Sequence, residues 1–413
     1  MLTHTRPAGA APPIVGGRRG AYFAAMVVDT VGTGLWTPFS LIFFTHAQGI
    51  PLAQAGAALT AGGVAGLVVG MVTGGLVDRH GPSLAILVSK VLRAGPFLLY
   101  PSTHSAWVVA LLATVYVSGD RLFWTSSAPF LRDMATGREL DRLLATQSTL
   151  RIAGLGIGAA GAGVLAGSPE GLRLVAYLNA ATFVAAGVLF CFAAGLARLT
   201  GGRTGGAVAR TGLAGWRVVV RDRPFLMLCA VQSLFALATG SLVFLLPLVS
   251  VTPLGGPLWL PAAVAITSNA VMALTQRPLV RAAERTTRMR GVLASAVPLV
   301  LSAVALAFGA LADPGAVPWL VLGAAALGAL GQGVCSTLLI AAATDAAPDD
   351  LRGRYNAVYQ AAFGFANVLT PAVFTALLAV SNAVMWASVA CLVLLALPCS
   401  GPPRPPARPL PRR

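Results

Sequence analysis

The sequence predicts an all-α membrane protein in which twelve transmembrane helices form two bundles of six helices. Hydrophobic residues make up 56% of the 413 residues and charged residues only 10%, whereas about a quarter of the residues of a soluble domain are charged. Apolar runs of roughly 20 residues, the length that crosses a bilayer core, recur along the chain. The arginines between these runs concentrate in every second gap, which is typical of a chain that crosses a membrane repeatedly.

Turn residues and charges divide the apolar sequence into twelve predicted spans. They cover residues 20–46, 52–77, 83–100, 106–130, 145–167, 172–197, 224–249, 257–276, 291–311, 317–343, 355–380 and 382–398. The first apolar run is longer than the roughly 7 to 15 residues of a signal-peptide core, so we interpret it as a retained span.

The positions of the arginines predict the orientation of the spans. If the N-terminus is placed inside, all arginines in the gaps and tails fall inside except Arg173. Positive charge accumulates on the cytoplasmic side of membrane proteins, and a miscount by one span would make the two sides swap part-way along the chain. The sequence therefore predicts an even number of spans with both termini in the cytoplasm.

One long polar gap divides the hydrophobic body. Residues 198–223 are rich in glycine and arginine, and we expect them to form a basic cytoplasmic linker. The linker separates an N-terminal six-helix bundle at 20–197 from a C-terminal six-helix bundle at 224–398. A cytoplasmic N-terminal tail is predicted at 1–19 and a cytoplasmic Pro/Arg-rich tail at 399–413.

A weak internal repeat supports the division into halves. Glu139–Arg142, followed by Gly154, corresponds to Asp349–Arg352, followed by Gly364, at an offset of 210 residues. Because each repeat contains six spans, both repeats begin on the same side of the membrane. The sequence therefore predicts a parallel pseudo-two-fold axis along the membrane normal.

Three short motifs resemble those of a known family. Gly74–Gly81 (GGLVDRHG) follows span 2 and resembles the cytoplasmic signature G-x-L-a-D-r-x-G-r-k of the major facilitator superfamily. Pro348–Tyr355 (PDDLRGRY) is similar to the P-x-x-x-R-G-R loop common among exporters of that superfamily. Gly154, Gly158 and Gly163 resemble the pattern g-x-x-x-G-P-x-x-G-G of its antiporters. The chain is most similar to the twelve-helix drug/proton antiporter-type exporters.

This resemblance implies the major facilitator fold, with a central cavity lined by helices 1, 4, 7 and 10 and with helices 2, 5, 8 and 11 beside them. It also implies a conformational gate at the cytoplasmic ends of the helices. The residues that match the gate motifs are Gly74, Asp78, Arg79, Gly81, Asp133, Arg352 and Arg354. The chain departs from the family patterns at two places. Pro82 and Ser83 replace the basic pair of the signature, and Ala159 replaces the proline of the antiporter pattern.

Ionisable residues inside the predicted spans are candidates for a functional site, because a charge inside a bilayer costs several kcal/mol. At a rise of 1.5 Å per residue, Asp29 lies ~13 Å, Arg121 ~16 Å and Arg151 ~13 Å from the inner edge of its span. Asp120 adjoins Arg121 in span 4. In the fold that the resemblance implies, we expect Asp29, Arg121 and Arg151 to meet near the middle of the membrane and to serve, with Asp120, in proton coupling or in the cavity.

Two hypotheses apply to Asp29. In the first, its carboxyl group is reversibly protonated and alternates between an arginine-paired and an unpaired state, which couples proton movement to transport. In the second, Asp29 and Arg121 form a fixed ion pair between helices 1 and 4. The resemblance places Lys90 and Arg93 on a peripheral helix, where we expect their long side chains to snorkel or pack.

Neutral polar and aromatic residues on the cavity helices are the expected contacts for a bound solute. Amide groups supply hydrogen bonds, and aromatic rings suit an amphipathic or partly aromatic ligand. The candidates are Trp36, Trp124, Gln232, Asn269, Gln332, Asn356 and Gln360.

No motif of the sequence indicates an enzyme, since it has no ATP-binding GxxxxGK[ST] loop, no Gly-x-Ser-x-Gly and no HExxH. The five cysteines and four histidines are scattered, so we expect no metal site and no cofactor. The net charge of +16 lies in the gaps between spans rather than on a polar domain, which makes nucleic acid an unexpected partner.

Three functions are compatible with the sequence. The first is secondary export of small amphipathic compounds by proton antiport with alternating access. The second is proton-coupled or facilitative uptake of a small, anionic nutrient, and the third is a non-transporting role as a sensor or scaffold. The expected partners are a small-molecule substrate, protons and the lipid bilayer. We expect a monomer in a bacterial inner membrane.

Overall fold

The structure is a computed structural model that describes residues 16–132, 134–135, 138–194, 214–284, 288–348 and 351–397. Within these ranges the chain forms twelve helices of fifteen residues or more, labelled α1 to α12 in chain order. They are α1 (Gly16–Trp36), α2 (Leu52–His80), α3 (Pro82–Leu99), α4 (Ala106–Arg132), α5 (Arg138–Leu165), α6 (Pro169–Ala194), α7 (Arg223–Phe244), α8 (Leu260–Glu284), α9 (Arg288–Ala307), α10 (Val317–Ala346), α11 (Arg352–Val380) and α12 (Asn382–Ala396).

The length and hydropathy of the helices identify a multi-pass membrane protein. Ten of the described helices are long and apolar enough to cross a bilayer. The apolar parts of α8 and α12, Leu260–Thr275 and Asn382–Ala396, are shorter. The predicted all-α membrane fold is therefore confirmed. Two boundaries were misplaced. Helix α5 begins at Arg138 rather than at 145, so Glu139 and Arg142 belong to its first turns and not to a loop. Helix α8 continues to Glu284, beyond the predicted end at 276.

Regular α-helix is interrupted just after the C-terminal ends of α1 and α7, at corresponding places in the two halves. After α1 the chain continues through a 3-10 turn at Thr37–Phe39, a short helix at Ser40–Ile42 and a π-type turn at Phe43–Ala47. After α7 it continues in a short helix at Leu246–Val251. Each break contains a proline, Pro38 and Pro247, whose missing N–H cannot continue the helical hydrogen bonds. The turn at Thr37–Phe39 packs against α7, α8 and Leu246–Val251, so it joins the two halves of the bundle.

Close packing of α1 and α5 depends on small residues. The backbone of Leu155 lies where a side chain at Gly34 would begin, and the carbonyl group of Val31 lies where one would begin at Gly158. Glycines allow this approach in membranes, where van der Waals packing rather than the hydrophobic effect holds helices together. The glycines of the antiporter-like pattern thus pack α5 on α1 and, at Gly163, on Ala262 of α8.

The two halves are joined at one end of the bundle. Arginines occupy the other end, which we call the basic end, at Arg19, Arg132, Arg142, Arg223 and Arg290. Most contacts between the halves run between α2 and α11 and between α5 and α8. The Thr60 hydroxyl donates to the carbonyl of Val368 at 2.9 Å and accepts from the N–H of Ala372 at 3.0 Å. These residues lie in the half of α2 and α11 that is remote from the basic end.

The buried apolar side chains form two clusters, one at the end where the two halves are joined and one near the basic end. The larger cluster includes Trp36, Leu246 and Phe374, and it crosses from one half of the bundle to the other. The smaller cluster, near the basic end, includes Tyr22 and Phe190 and is confined to α1–α6 and the turn that follows α4. The described core therefore bridges the halves at the end remote from the arginines.

Candidate functional site

A cavity of about 470 Å³ lies between the two halves of the bundle. Helices α1, α5, α7, α8, α10 and α11 supply its described walls. Its apolar wall includes Ile152, Leu155, Phe235, Leu242, Val264, Met272 and Phe363, and its polar wall includes Thr37, Ser148, Arg151, Gln232, Thr239, Ser268, Asn269, Gln332 and Ser336. An apolar pocket with a few dispersed polar groups is the usual form of a small-molecule site.

Arg151 is the one charged residue among the described residues that line the cavity. Its guanidinium carbon lies 5.7 Å from the ring centroid of Trp124, within the range of a cation–π interaction. The Trp124 ring holds Arg151 beside α4 without neutralising its charge. The described cavity therefore has one positive group and no acidic one.

Amide side chains add directional hydrogen-bonding groups to the cavity. The Tyr359 hydroxyl donates to Oε1 of Gln232 at 2.8 Å, which fixes the amide and leaves its NH₂ as a donor. The Asn269 NH₂ donates to the carbonyl of Ala265 at 2.8 Å, which leaves Oδ1 as an acceptor. Gln332 lies in the same wall.

The structure separates the predicted cavity residues into two groups. Arg151 and the amides described above lie in the wall of the cavity. Trp36 does not, because it stacks on Tyr100 at 5.6 Å within a buried aromatic cluster. Asn356 and Gln360 are exposed on α11 and lie outside the cavity. Helix α4 was expected in the cavity wall but supplies none of the described lining residues, while α5 and α8 supply several.

A second polar cluster lies buried inside α1–α6. Asp29 Oδ1 is 2.5 Å from Lys90 Nζ and 3.0 Å from Arg93 Nη1, so one carboxylate accepts from two cations. Nη2 of Arg93 donates to the Thr33 hydroxyl at 3.3 Å and lies 3.8 Å from Oδ1 of Asp120. Asp29, Lys90 and Arg93 are all buried. In a low-dielectric interior such contacts offset much of the cost of removing the charges from water.

Aromatic rings surround the two cations of this cluster. Lys90 Nζ lies 4.0 Å from the ring centroid of Phe123, and the guanidinium carbon of Arg93 lies 4.2 Å from that of Phe183. Both arrangements are cation–π contacts, which gain strength where water is excluded. The rings replace part of the hydration that the buried cations lose.

Of the two arrangements expected for Lys90 and Arg93, the structure shows packing and not snorkelling, because their side chains are buried and extend from α3 to Asp29 on α1. One expectation about these charges was wrong. Asp29 is not paired with Arg121, whose guanidinium instead lies beside Gly364 of α11, with Nη2 3.2 Å from the position of a Cβ on that glycine. Lys90 and Arg93 are three residues apart, which places both side chains on one face of α3. This spacing is the feature of the sequence that could have predicted a shared acidic partner.

The gate residues are described only in part. Gly81 joins α2 to α3 with a φ of 83°, a left-handed conformation that favours glycine. Arg354 is half-buried near the start of α11. Asp133 and the side chains of Asp78, Arg79 and Arg352 lie outside the described part, and Gly74 is described only as part of the α2 backbone. Their role in a gate stays a prediction.

Potential metal-binding side chains are dispersed over the described residues. No set of three or more His, Cys, Asp or Glu side chains there is arranged to hold a metal ion. Cys191, Cys229, Cys335 and Cys391 are free thiols.

A membrane-spanning bundle of two helical halves around a central cavity is the architecture of a transport protein. Residues 21–371, and in a second match residues 259–413, fit the family model of the Major Facilitator Superfamily. The chain belongs to this superfamily and is a membrane transporter rather than an enzyme. The predicted membership of the major facilitator superfamily is thereby confirmed.

Solved structures of several transporters share the fold. The nucleoside transporter NupG superposes with a TM-score of 0.77 at 10% identity, over 93% of this chain and 98% of that one. A bacterial homologue of the iron transporter ferroportin, in its inward-facing state, gives 0.70 at 13% identity over 93% and 99%. A POT family transporter in complex with 5-aminolevulinic acid gives 0.71 at 12% identity over 92% and 94%. No curated protein matches the chain by sequence.

Proposed function

We propose that this protein is a secondary active transporter of small amphipathic organic compounds that carry one anionic group. The observation that carries the proposal is the cavity, in which a mostly apolar wall surrounds a single charged residue, Arg151. Apolar and aromatic side chains suit the body of such a solute, and a guanidinium group is well suited to a carboxylate or sulfonate. The volume of about 470 Å³ falls in the range of pockets that hold small organic molecules.

Two directions of transport are candidates. Export by proton antiport with alternating access is supported by the exporter-like loop at Pro348–Tyr355 and by the antiporter-like glycines of α5. Uptake of an anionic nutrient is the second candidate, and the charge of the cavity favours it. The retained charges inside α1–α6 argue against a non-transporting scaffold, since a chain without transport activity has no use for such costly groups.

The arginine distribution supports an orientation with the basic end and both termini in the cytoplasm. In that orientation the contacts that join the halves lie on the outer side of the membrane, and a solute reaches the cavity from the cytoplasm. We propose a monomer in a bacterial inner membrane, surrounded by lipid.

Solute binding is tested first, with purified protein and matched probes. Benzenesulfonate, benzyl alcohol and benzylamine share an aromatic ring and differ in charge. We expect benzenesulfonate to raise the thermal unfolding temperature in a concentration-dependent manner and the other two to act weakly. Equal stabilisation by all three probes, or by benzylamine alone, would contradict an anionic solute.

Transport and its direction are tested in proteoliposomes with labelled benzenesulfonate. An inside-acid gradient and an outside-acid gradient are imposed in separate samples, with protein-free vesicles as the control. Accumulation against the direction of proton flow indicates antiport, and accumulation along it indicates co-transport. Absence of any protein-dependent flux, in vesicles whose protein still binds the probe, would support a sensor instead.

A further inference from the structure

A short helix precedes α7 at the basic end of the bundle. It covers Ala214–Arg221, and we call it the interface helix. Its eight residues extend over about 12 Å, which is too short to cross a bilayer. Asp222 follows with a ψ of 85°, which is not helical, so the chain changes direction before α7 begins at Arg223. The interface helix packs mainly against α7 and α11.

The interface helix has one buried side and one exposed side. Val219 is fully buried, whereas Arg217 and Arg221 are exposed. Successive residues of an α-helix are about 100° apart, so the two arginines, one turn from each other, lie on the side opposite Val219. Val218 and Val220 lie on the two flanks and are 49% and 61% exposed. The exposed side therefore combines positive charge with apolar surface.

The two arginines of this helix have no acidic partner among the described ion pairs. Asp222 is the nearest acid in sequence, but other groups occupy its carboxylate. It accepts from the Tyr355 hydroxyl at 2.8 Å and from the N–H of Phe225 at 3.2 Å. Like charges four residues apart on a helix repel each other, as Arg217 and Arg221 do. An anion bound between them would relieve that repulsion.

The position of the interface helix is set by the start of α7. Arg223–Phe244 is long and apolar enough to cross a bilayer, so a helix that ends two residues earlier lies at the level of the lipid headgroups. The hydrogen bond from Tyr355 to Asp222 and the contact of the Tyr355 and Phe225 rings, with centroids 4.4 Å apart, hold this junction against α11. Arg223 is exposed at the same level and adds a third positive charge.

We propose that the interface helix binds the headgroup of an anionic phospholipid, with Arg217, Arg221 and Arg223 contacting the phosphate group. A guanidinium group binds a phosphate through two parallel hydrogen bonds. Val218 and Val220 then enter the apolar region below the headgroups, as in other basic amphipathic helices that lie in the membrane surface. A soluble anion would match the arginines but would leave the valines in water. The proposal does not depend on the solute class inferred for the cavity.

Native mass spectrometry of the full chain in a neutral detergent measures lipid binding directly. Dioctanoylphosphatidylglycerol is anionic, and dioctanoylphosphatidylcholine has the same chains but no net charge. We expect the wild type to prefer the anionic lipid. Arg217→Gln/Arg221→Gln should weaken its binding roughly 25-fold, at about five-fold for each arginine near an anionic lipid surface. Binding of the zwitterionic lipid should not change.

Two matched variants control for net charge and for folding. Arg132→Gln/Arg290→Gln removes two exposed arginines from the same end of the bundle, on α4 and α9, and should keep the wild-type affinity. Arg217→Lys/Arg221→Lys keeps the charge and should restore most of the preference for the anionic lipid. The proposal is wrong if the first pair loses as much affinity as Arg217→Gln/Arg221→Gln, or if the lysine variant binds no better than the glutamine variant.

Soluble anions are tested as competitors, because a phosphate group need not belong to a lipid. Inorganic phosphate and glycerophosphoglycerol, which is the headgroup without acyl chains, should not displace the lipid at equal concentration. Displacement by either one would show that the ligand is a soluble anion and would overturn the lipid site. The preference for phosphatidylglycerol should also fall as salt is added, since the arginines are exposed. A preference that is unchanged at high salt contradicts a site built on these arginines.

Discussion

The interiors of the two halves of the bundle differ in chemistry, although their helices correspond. In α1–α6, Asp29, Lys90 and Arg93 are buried in mutual contact, and Asp120 adjoins them. In α7–α12, the described side chains away from the helix ends are uncharged. Neutral groups bind there instead: the Ser302 hydroxyl donates to the carbonyl of Ala324 at 2.8 Å, between α9 and α10.

This difference indicates a division of labour within one architecture. Charged groups inside a membrane change their contacts when a proton or an anion arrives, because each interaction is strong at low dielectric. Neutral hydrogen bonds in membrane proteins are weak and locally satisfied, so they hold helices together without responding to charge. The first half contains the responsive groups, and the second half supplies uncharged walls to the cavity. The variants below test this contrast, beginning with the largest expected effect.

Asp29→Asn should be the most damaging single change. It removes the carboxylate that neutralises Lys90 and Arg93, and it leaves two buried cations 2.5 to 3.2 Å from a neutral amide. Loss of one partner from a buried ion pair costs about 3–5 kcal/mol. We expect a large fall in the free energy of unfolding, measured in detergent with increasing denaturant.

Lys90→Met is the matched control for Asp29→Asn. It removes one of the two cations but leaves Asp29 paired with Arg93, so its cost should be much smaller. The double variant Asp29→Asn/Lys90→Met should recover part of the stability lost in Asp29→Asn. Equal stability of Asp29→Asn and the wild type would show that the cluster is not an essential ion pair.

Arg151→Gln should weaken solute binding more than any other change in the cavity. A hydrogen bond to a charged group contributes about 1.5–3 kcal/mol, which corresponds to a roughly 10- to 100-fold loss of benzenesulfonate affinity. The protein should still fold, since Arg151 makes no described ion pair within hydrogen-bonding distance. Arg121→Gln is the control and should keep the affinity, because Arg121 lies beside Gly364 and outside the cavity wall. An unchanged affinity in Arg151→Gln would remove the basis for an anionic solute.

Gly158→Ala compares the packing of the two halves. A methyl group there would meet the backbone carbonyl of Val31, which cannot move without shifting α1. Overpacking of this kind costs about 1–3 kcal/mol. At Gly240, between α7 and α11, the methyl group would meet the side chain of Thr370, which can rotate, so Gly240→Ala should cost less.

Gly156→Ala controls for the change of residue type. No atom lies within 4 Å of the position of its Cβ, and alanine favours a helix over glycine by about 1 kcal/mol. We expect this variant to be as stable as the wild type or more stable in thermal unfolding. If Gly156→Ala and Gly158→Ala lose the same stability, close approach of α1 and α5 is not the reason for these glycines.

Tyr359→Phe should have the smallest effect. It removes one neutral hydrogen bond of 2.8 Å, to Gln232, in the uncharged half. Such a bond contributes about 0.5–1.5 kcal/mol, and often less between membrane helices. Unfolding and benzenesulfonate affinity should both change only slightly. A loss as large as that of Asp29→Asn would contradict the contrast between the two halves.

The fold could be predicted from the sequence because its signals are local. Hydropathy identifies each span from about 20 consecutive residues, and most predicted spans end within a few residues of α1–α12. The arginines between the spans add the sidedness, and Gly74–Gly81 identifies the family. The early start of α5 was missed because Arg138–Arg142 is polar, and hydropathy marks only the part of a helix that lies in lipid.

The sequence by itself determined that charges lie inside α1–α6, and tertiary structure decided which of them meet. Depth along a helix follows from the rise per residue, so Asp29, Arg121 and Arg151 could be assigned to one level of the membrane. The direction in which a side chain points depends on the rotation of its helix and on its neighbours, and neither is encoded locally. Lys90 and Arg93 therefore became partners of Asp29 only when the six helices assembled and the two long side chains reached from α3 to α1. Arg121 lost that role because its face of α4 turns toward α11.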